Sequence, residues 1–365
     1  MDFKRIEFKT MSSPDEIIIS SDASGQLWNS CLWDLQSGTS LLTFKGGTSA
    51  PRTLDLINKE YLIAASNTKP VLHIWPLQKK ESNQMKIVCP GIVTSLTVTP
   101  DGSYCIAGIA EKIHMWQVCT GSLLAVLSRH YQTVRCLQCT DDGSTFVSGG
   151  DDNLVIVWSL GVILAECGNF NTVTKPRHVW SSHSLPVTDI HVGIGGSRAR
   201  VVSSSLDQTC RLWDISSGEL LCKFVFDVSI MTVTMDAAEF QLFAGGSNGV
   251  IYSVNLFEMP IRNERHFQDS TENTSSVKFQ GHTKKVSCLS LSFDGTQLVS
   301  GSHDNTVKVW DVYSGQCIKT LSHKEGFVYV EKLSVMLILY ERKTRSFEEL
   351  MLYSSMRGRL GVLKN

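Results

Sequence analysis

The sequence predicts an all-β chain made of seven copies of a four-stranded unit closed into a ring, and three observations carry that expectation. Tryptophans stand at Trp33, Trp75, Trp116, Trp158, Trp213 and Trp310, with spacings of 42, 41, 42, 55 and 97 residues. Each ends an alternating apolar run, NSCLW, VLHIW, KIHMW, LVIVW, TCRLW or TVKVW, the pattern of a short strand with one face buried. Gly, Asp, Asn and Ser punctuate the runs, as turns between strands require. A period of ~40–45 residues with a W-D ending is the pattern of four-stranded propeller blades.

The clearest copy is GHTKKVSCLSLSFDGTQLVSGSHDNTVKVWDVYSGQCIKTL, Gly281 to Leu321. It divides into the strands VSCLSLS, QLVSGS, VKVWDV and CIKTL, joined at DG, DN and SG, pairs that tolerate the backbone angles of tight turns. On its GH, Gly281 and His282, and its WD, Trp310 and Asp311, this unit resembles the WD-repeat family of β-propellers. With the count of units set out below and a tail without sustained heptads, the expected fold is a seven-bladed WD-repeat β-propeller with a short irregular C-terminal tail.

Three units repeat a polar constellation, with Ser, Asp and Trp at fixed offsets and a His 18 or 20 residues before the Ser: His130, Ser148, Asp152 and Trp158; His183, Ser203, Asp207 and Trp213; His282, Ser300, Asp304 and Trp310. Ser, His and Asp together invite comparison with a nucleophilic triad. Repetition in three blades argues for a buried hydrogen-bond chain instead, since each active centre would need its own cleft and oxyanion donors. In WD repeats such tetrads are structural. The Trp75 and Trp116 units lack the full set and show Ala65 and Ala107 near the serine position.

The 97-residue gap hides a sixth blade. IMTVTMDAAEFQLFAGGSNGVIYSVNL, Ile230 to Leu256, aligns without gaps on the best copy, with Phe226, Ala244, Asn248 and Val254 at the four tetrad positions. Joint loss is physically sensible, because deleting one member strands a buried partner at ~1–3 kcal/mol, whereas exchanging the set can be nearly neutral. FDVSIMTVTMD thus reads as an entry loop followed by an inner strand. The first unit offers only three strands, EIIISS, NSCLWDL and SLLTF, and two segments are candidates for its inner position: RIEFKT near the N-terminus and, preferred because it ties the seam with both chain ends, FVYVEKLSV, Phe327 to Val335. These readings divide the chain into an N-terminal extension at 1–15, a propeller at 16–322 and a tail at 323–365, whose start closes the ring.

Two long connections, Gly161 to Ser182 and Phe257 to Gln280, are each expected to hold an outer strand and an extended surface loop. The second contains IRNERHF, in which Arg262, Arg265 and His266 form a basic patch suited to phosphate or an acidic partner, although a plain solvated loop is the favoured reading. Elsewhere charge is balanced, with 34 Lys and Arg against 35 Asp and Glu, so no bulk field draws the chain to nucleic acid or membrane. The apolar uncharged run Asn153 to Ala165 is shorter than the roughly 20 residues of a membrane helix, and the start MDFKRIEFKT lacks a secretory core; together these read as soluble and intracellular. The eleven cysteines show no framework spacing and read as core side chains of a reducing compartment. Cys136 and Cys139 form a lone C-x-x-C without the second pair a zinc site wants. Gly193, Gly195 and Gly196 in HVGIGGSRAR suggest a phosphate loop, but no Lys-Ser pair follows, and a turn between strands accounts for them. No cofactor and no catalytic residue is expected.

More particular phrases, YQTVRCLQ, PRHVWSSHSLPVTDIH, SSLDQT and FDVSIMTVTMDAAE, resemble the WD repeat-containing protein 18 family, the propeller subunits of the rixosome. That resemblance covers about Ile17 to Leu321. It implies a non-enzymatic scaffold of large-subunit ribosome maturation and rRNA processing, in nucleolus and nucleoplasm and also in cytoplasm. The implied partners are a proline-, glutamate- and leucine-rich scaffold protein, a testis-expressed HEAT-like protein, the midasin ATPase, a SUMO protease, a Las-family nuclease and the pre-60S particle, with chromatin-associated complexes besides. After Ser322 the chain departs from the long heptad-bearing helix of that family, which leaves open the dimerisation or docking that depends on such a helix. A WD-propeller adaptor in a chromatin or ubiquitin-ligase complex is the alternative; ubiquitin-ligase receptors often carry Arg two residues after the Asp of W-D, where this chain has Gln36, Ser216 and Tyr313.

Overall fold

The computed structural model describes residues 15–22, 30–44, 49–77, 85–166, 174–257, 263–267, 277–322 and 333–340. Seven sheets, antiparallel but for one pair in the fifth, follow one another along the chain as the blades of a β-propeller. In the seventh blade Val286–Leu291, Gln297–Ser302, Thr306–Asp311 and Cys317–Ser322 pair in order from inside to outside. The second to sixth blades repeat that meander. Alternation sets the register: Val299 and Val309 pair across neighbouring strands, and both are buried.

The core is not a single mass. Seven hydrophobic clusters fill the wedges between neighbouring blades, each drawing side chains from two of them. Val202, Leu212 and Phe224 of the fifth blade, for example, pack on Ile230, Val233 and Val254 of the sixth. A blade on its own exposes both apolar faces, which is why repeat units stabilise one another by stacking. The seam between seventh and first blades is packed in the same manner, Val299, Val307 and Leu321 meeting Ile18 and Leu35. Polar bonds reinforce it: Phe293 N–H donates to Glu16 Oε1 at 2.9 Å and Lys319 Nζ to the Leu35 carbonyl at 3.2 Å.

Several local expectations are corrected. The innermost strand of the first blade is Leu333–Tyr340, antiparallel to Asp15–Asp22, rather than Phe327–Val335, of which 327–332 lie outside the described residues. LSVMLILY is the tail's longest uncharged run, whereas the expected segment carries Glu331 and Lys332. Phe226 belongs to no entry loop; it ends the outer strand Leu220–Phe226 of the fifth blade, and the sixth begins at Ile230–Met235. The first long connection opens with a helix, Leu160–Glu166, that buries Leu160 and Ile163, before the outer strand His178–Trp180. That helix takes up part of the long uncharged run, and among the described residues no helix is long and apolar enough to cross a membrane.

The second long connection differs more. Its residues Glu264–Phe267 form a strand that runs parallel to Leu220–Phe226, giving the fifth blade a fifth strand. The outer strand of the sixth blade shrinks to Lys278–Phe279. Phe267 supplies the reason: it is buried, with ring centroids 5.4 Å from Phe226 and 6.3 Å from Phe224.

Candidate functional site

In the fourth, fifth and seventh blades each tetrad is drawn into one directional chain. Trp158 Nε1 donates to Ser148 Oγ at 2.9 Å, Ser148 Oγ meets His130 Nε2 at 2.8 Å, and His130 Nδ1 meets Asp152 Oδ2 at 2.9 Å. The fifth blade gives 3.0, 2.8 and 3.0 Å for Trp213, Ser203, His183 and Asp207. For Trp310, Ser300, His282 and Asp304 the distances are 2.8, 2.7 and 2.8 Å. The carboxylate fixes the tautomer: it accepts only, so Nδ1 carries the proton and Nε2 accepts from the serine hydroxyl. Backbone donors complete each carboxylate, Ser184 and Thr209 for Asp207, Thr283 and Thr306 for Asp304.

The distances match those of a catalytic triad, but the surroundings do not. Each serine is fully buried, and its oxygen already accepts the indole N–H of its tryptophan. Burial pulls the Asp207 and Asp304 carboxyls upward, yet the histidine and threonine hydrogen bonds outweigh it and hold both well below the usual carboxylate range. Burial also lowers the His183 pKa, against the pull of Asp207. These are saturated, inward chains.

The remaining blades use other solutions. In the first, Trp33 Nε1 donates to Ser20 Oγ at 2.8 Å, a Trp–Ser pair that the irregular spacing of EIIISS and NSCLW concealed. In the second and third, the residues across from His73 and His114 are Ala64 and Ala107, and the two imidazoles stack on Trp75 and Trp116 at 5.6 Å. The serine position of the second blade is thus Ala64, not Ala65: one extra turn residue shifts the count while the cross-strand register is kept. In the sixth, Asn248 Nδ2 donates to Tyr252 Oη at 3.0 Å, and Phe226 packs on the same ring at 5.4 Å, so one polar pair survives the exchange.

The basic patch is not assembled as expected. Arg262 lies outside the described residues. Arg265 turns inward, its Nη1 and Nη2 donating to the Asn255 and Leu256 carbonyls at 2.7 and 3.1 Å while it covers the Phe224 ring at 6.0 Å. His266 is exposed and stands 3.6 Å from Glu264, which also pairs with Lys223 at 2.8 Å. A stretch of four residues with three ionisable ones is too short for its strand to show in sequence.

The glycine run is a turn with its donors occupied: Gly195 and Gly196 N–H groups point at Asp141 of the neighbouring blade, at 3.2 and 2.6 Å. Cys136 and Cys139 sit on the strand Val134–Cys139, and burial pushes both thiols up to about 12. Among the described residues no three His, Cys, Asp or Glu side chains gather as metal ligands.

Side chains of the inner strands stitch neighbouring blades around the central channel. Asp55 Oδ2 accepts from Val98 N at 2.7 Å, Gln138 Oε1 from Val192 N at 3.1 Å, and Asp189 Oδ2 from Val233 N at 3.1 Å. Thr94 and Thr188 hydroxyls donate to the Val134 and Ile230 carbonyls at 2.6 and 2.7 Å. Burial raises the Asp55 carboxyl to about 6 and lowers His191, on the inner strand of the fifth blade, to about 4. What this geometry offers is a stiff disc that presents loops on two faces, a form suited to holding partners.

Comparison with known proteins agrees. The WD domain, G-beta repeat model matches residues 121–159, 174–214 and 273–311, the three blades with complete tetrads. WD repeat-containing protein 18 of Homo sapiens is 52% identical over 86% of this chain and 72% of its own length, and that of Danio rerio is 48% identical over the same shares. Pre-rRNA-processing protein pro-1 of Caenorhabditis elegans is 27% identical over 84% of this chain and 59% of its own length. With such identity across nearly the whole ring, the chain belongs to the WD repeat-containing protein 18 family.

Proposed function

We propose that this protein is a non-enzymatic propeller scaffold of pre-rRNA processing, acting within a rixosome-type assembly during large-subunit maturation. The observation that carries the reading is the extended identity to WD repeat-containing protein 18, joined to the likeness to pre-rRNA-processing protein pro-1 of two Caenorhabditis species. The geometry supports it, because every serine of the three triad-like chains is buried and already bonded on both sides. Chemistry therefore falls to the partners: the proline-, glutamate- and leucine-rich scaffold, the HEAT-like protein, the midasin ATPase, a SUMO protease and the pre-60S particle. Residence in the nucleolus and nucleoplasm follows from that role.

Affinity purification of the tagged full chain from nuclear extract tests the proposal. Recovery of the HEAT-like and proline-rich partners with pre-60S proteins is the expected outcome. Recovery of none of them by a folded ring would overturn it.

A further inference from the structure

One side chain reaches across the ring. Arg52 precedes the inner strand of the second blade, Asp55–Ile57, and its φ of 56° lies in the left-handed region, which strains a residue bearing a Cβ and is kept where the surroundings demand it. Its carbonyl accepts the Leu96 N–H of the third blade at 3.1 Å. Its guanidinium lies beside the Cys136 thiol of the fourth. Nη1 stands 2.9 Å from Asp189 Oδ1 of the fifth blade, and Nη2 donates to the Met231 carbonyl of the sixth at 2.8 Å.

In a ring of seven, the fifth and sixth blades stand on the far side from the second. The other channel bonds described above join immediate neighbours, whereas this one spans the bore. It is also shielded, with side-chain exposures of 23% and 17% for Arg52 and Asp189, so water screens it less than a surface pair. Asp189 is held on its own side by the Thr232 hydroxyl at 2.6 Å and by Val233 N–H at 3.1 Å, which aims the carboxylate at the arginine.

We infer that Arg52 is a cross-channel strut: it bars one mouth of the bore and couples blades that do not touch. Neighbour packing alone lets a repeat ring loosen one wedge at a time. A tie from the second blade to the fifth and sixth opposes that loosening, and a segment entering the bore from this side must first break the pair. Partners accordingly meet the rim of this face rather than thread the channel.

Cysteine alkylation mapped by mass spectrometry on the folded full chain reads the strut directly, since Cys136 is 4% exposed behind the guanidinium. Arg52→Met keeps the arm's bulk and removes its bonds. The expected result is an about tenfold rise in Cys136 labelling, as for a site whose local opening has become easier, with restored protection in the charge-swapped pair Arg52→Asp with Asp189→Arg. Thermal melts add a second reading: the melting-temperature losses of Arg52→Met and Asp189→Asn should not add in the double variant. Unchanged Cys136 labelling in Arg52→Met, or fully additive losses, would overturn the strut. If Arg52→Met does not fold, Asp189→Asn alone carries the labelling test with the same two outcomes.

Discussion

Trp310 donates its buried indole N–H to Ser300, and everything behind that serine is aligned by the bond. Trp310→Ala removes a fully buried side chain and should cost ~3–5 kcal/mol in urea unfolding. Ser300→Ala leaves both an indole donor and an imidazole acceptor without partners, and ~1–3 kcal/mol is expected. The carboxylates give a pH signature. Asp207 and Asp304 lie below their ordinary value of 3.8, so they bind protons less readily folded than unfolded. Their contribution is complete above the unfolded value and is lost as pH falls toward the folded one. His183, lowered from 6.5 by burial, works in the same direction: below about pH 6.5 protonation favours the unfolded chain. Asp55 runs the other way, because a carboxyl raised to about 6 binds protons more tightly when folded and loses stability as pH climbs from 3.8 to 6. Asp55→Asn should therefore raise the urea midpoint at pH 7.5 and leave it unchanged near pH 4, whereas Asp304→Asn should lower the midpoint at pH 7.5 and flatten the acid decline.

The strand Glu264–Phe267 gives the element scale its test. Phe267 is its buried anchor, and Phe267→Ala should cost ~3 kcal/mol or more by chemical denaturation, with faster amide exchange along Leu220–Phe226. His266→Ala, at an exposed position of the same strand, should stay within about 0.5 kcal/mol of the parent. This element also marks where sequence reading stops. Blades with Trp, Asp and a punctual turn were legible because strand alternation and turn residues are local properties. The parallel pairing is not local, and neither is the inner strand Leu333–Tyr340, whose partner Asp15–Asp22 lies more than three hundred residues away. Turn length misled the count at Ala64, and the Ser20–Trp33 pair was masked by the longer connection between its strands. Of the candidate site, the three tetrads could be named because Ser, Asp and Trp keep the same offsets in each and a His precedes them. Arg52 could not, since nothing in APRTLDL indicates that a side chain will cross a ring.

At the scale of the molecule, seven shared wedges, a stitched channel and a packed seam make one stiff ring. Stiffness suits a body that positions partners, because an interface already ordered loses less entropy on binding. Balanced net charge assigns the choice of partner to local loops rather than to long-range attraction. The most direct measurement is rescue of pre-rRNA maturation after depletion of the endogenous protein, comparing the parent chain with Ser148→Ala, Ser203→Ala and Ser300→Ala variants shown to be folded. Depletion should make large-subunit rRNA precursors accumulate, and the parent and each serine variant should restore processing equally. Precursor levels that ignore the depletion, or a folded serine variant that fails to rescue, would contradict a scaffold acting in pre-rRNA processing.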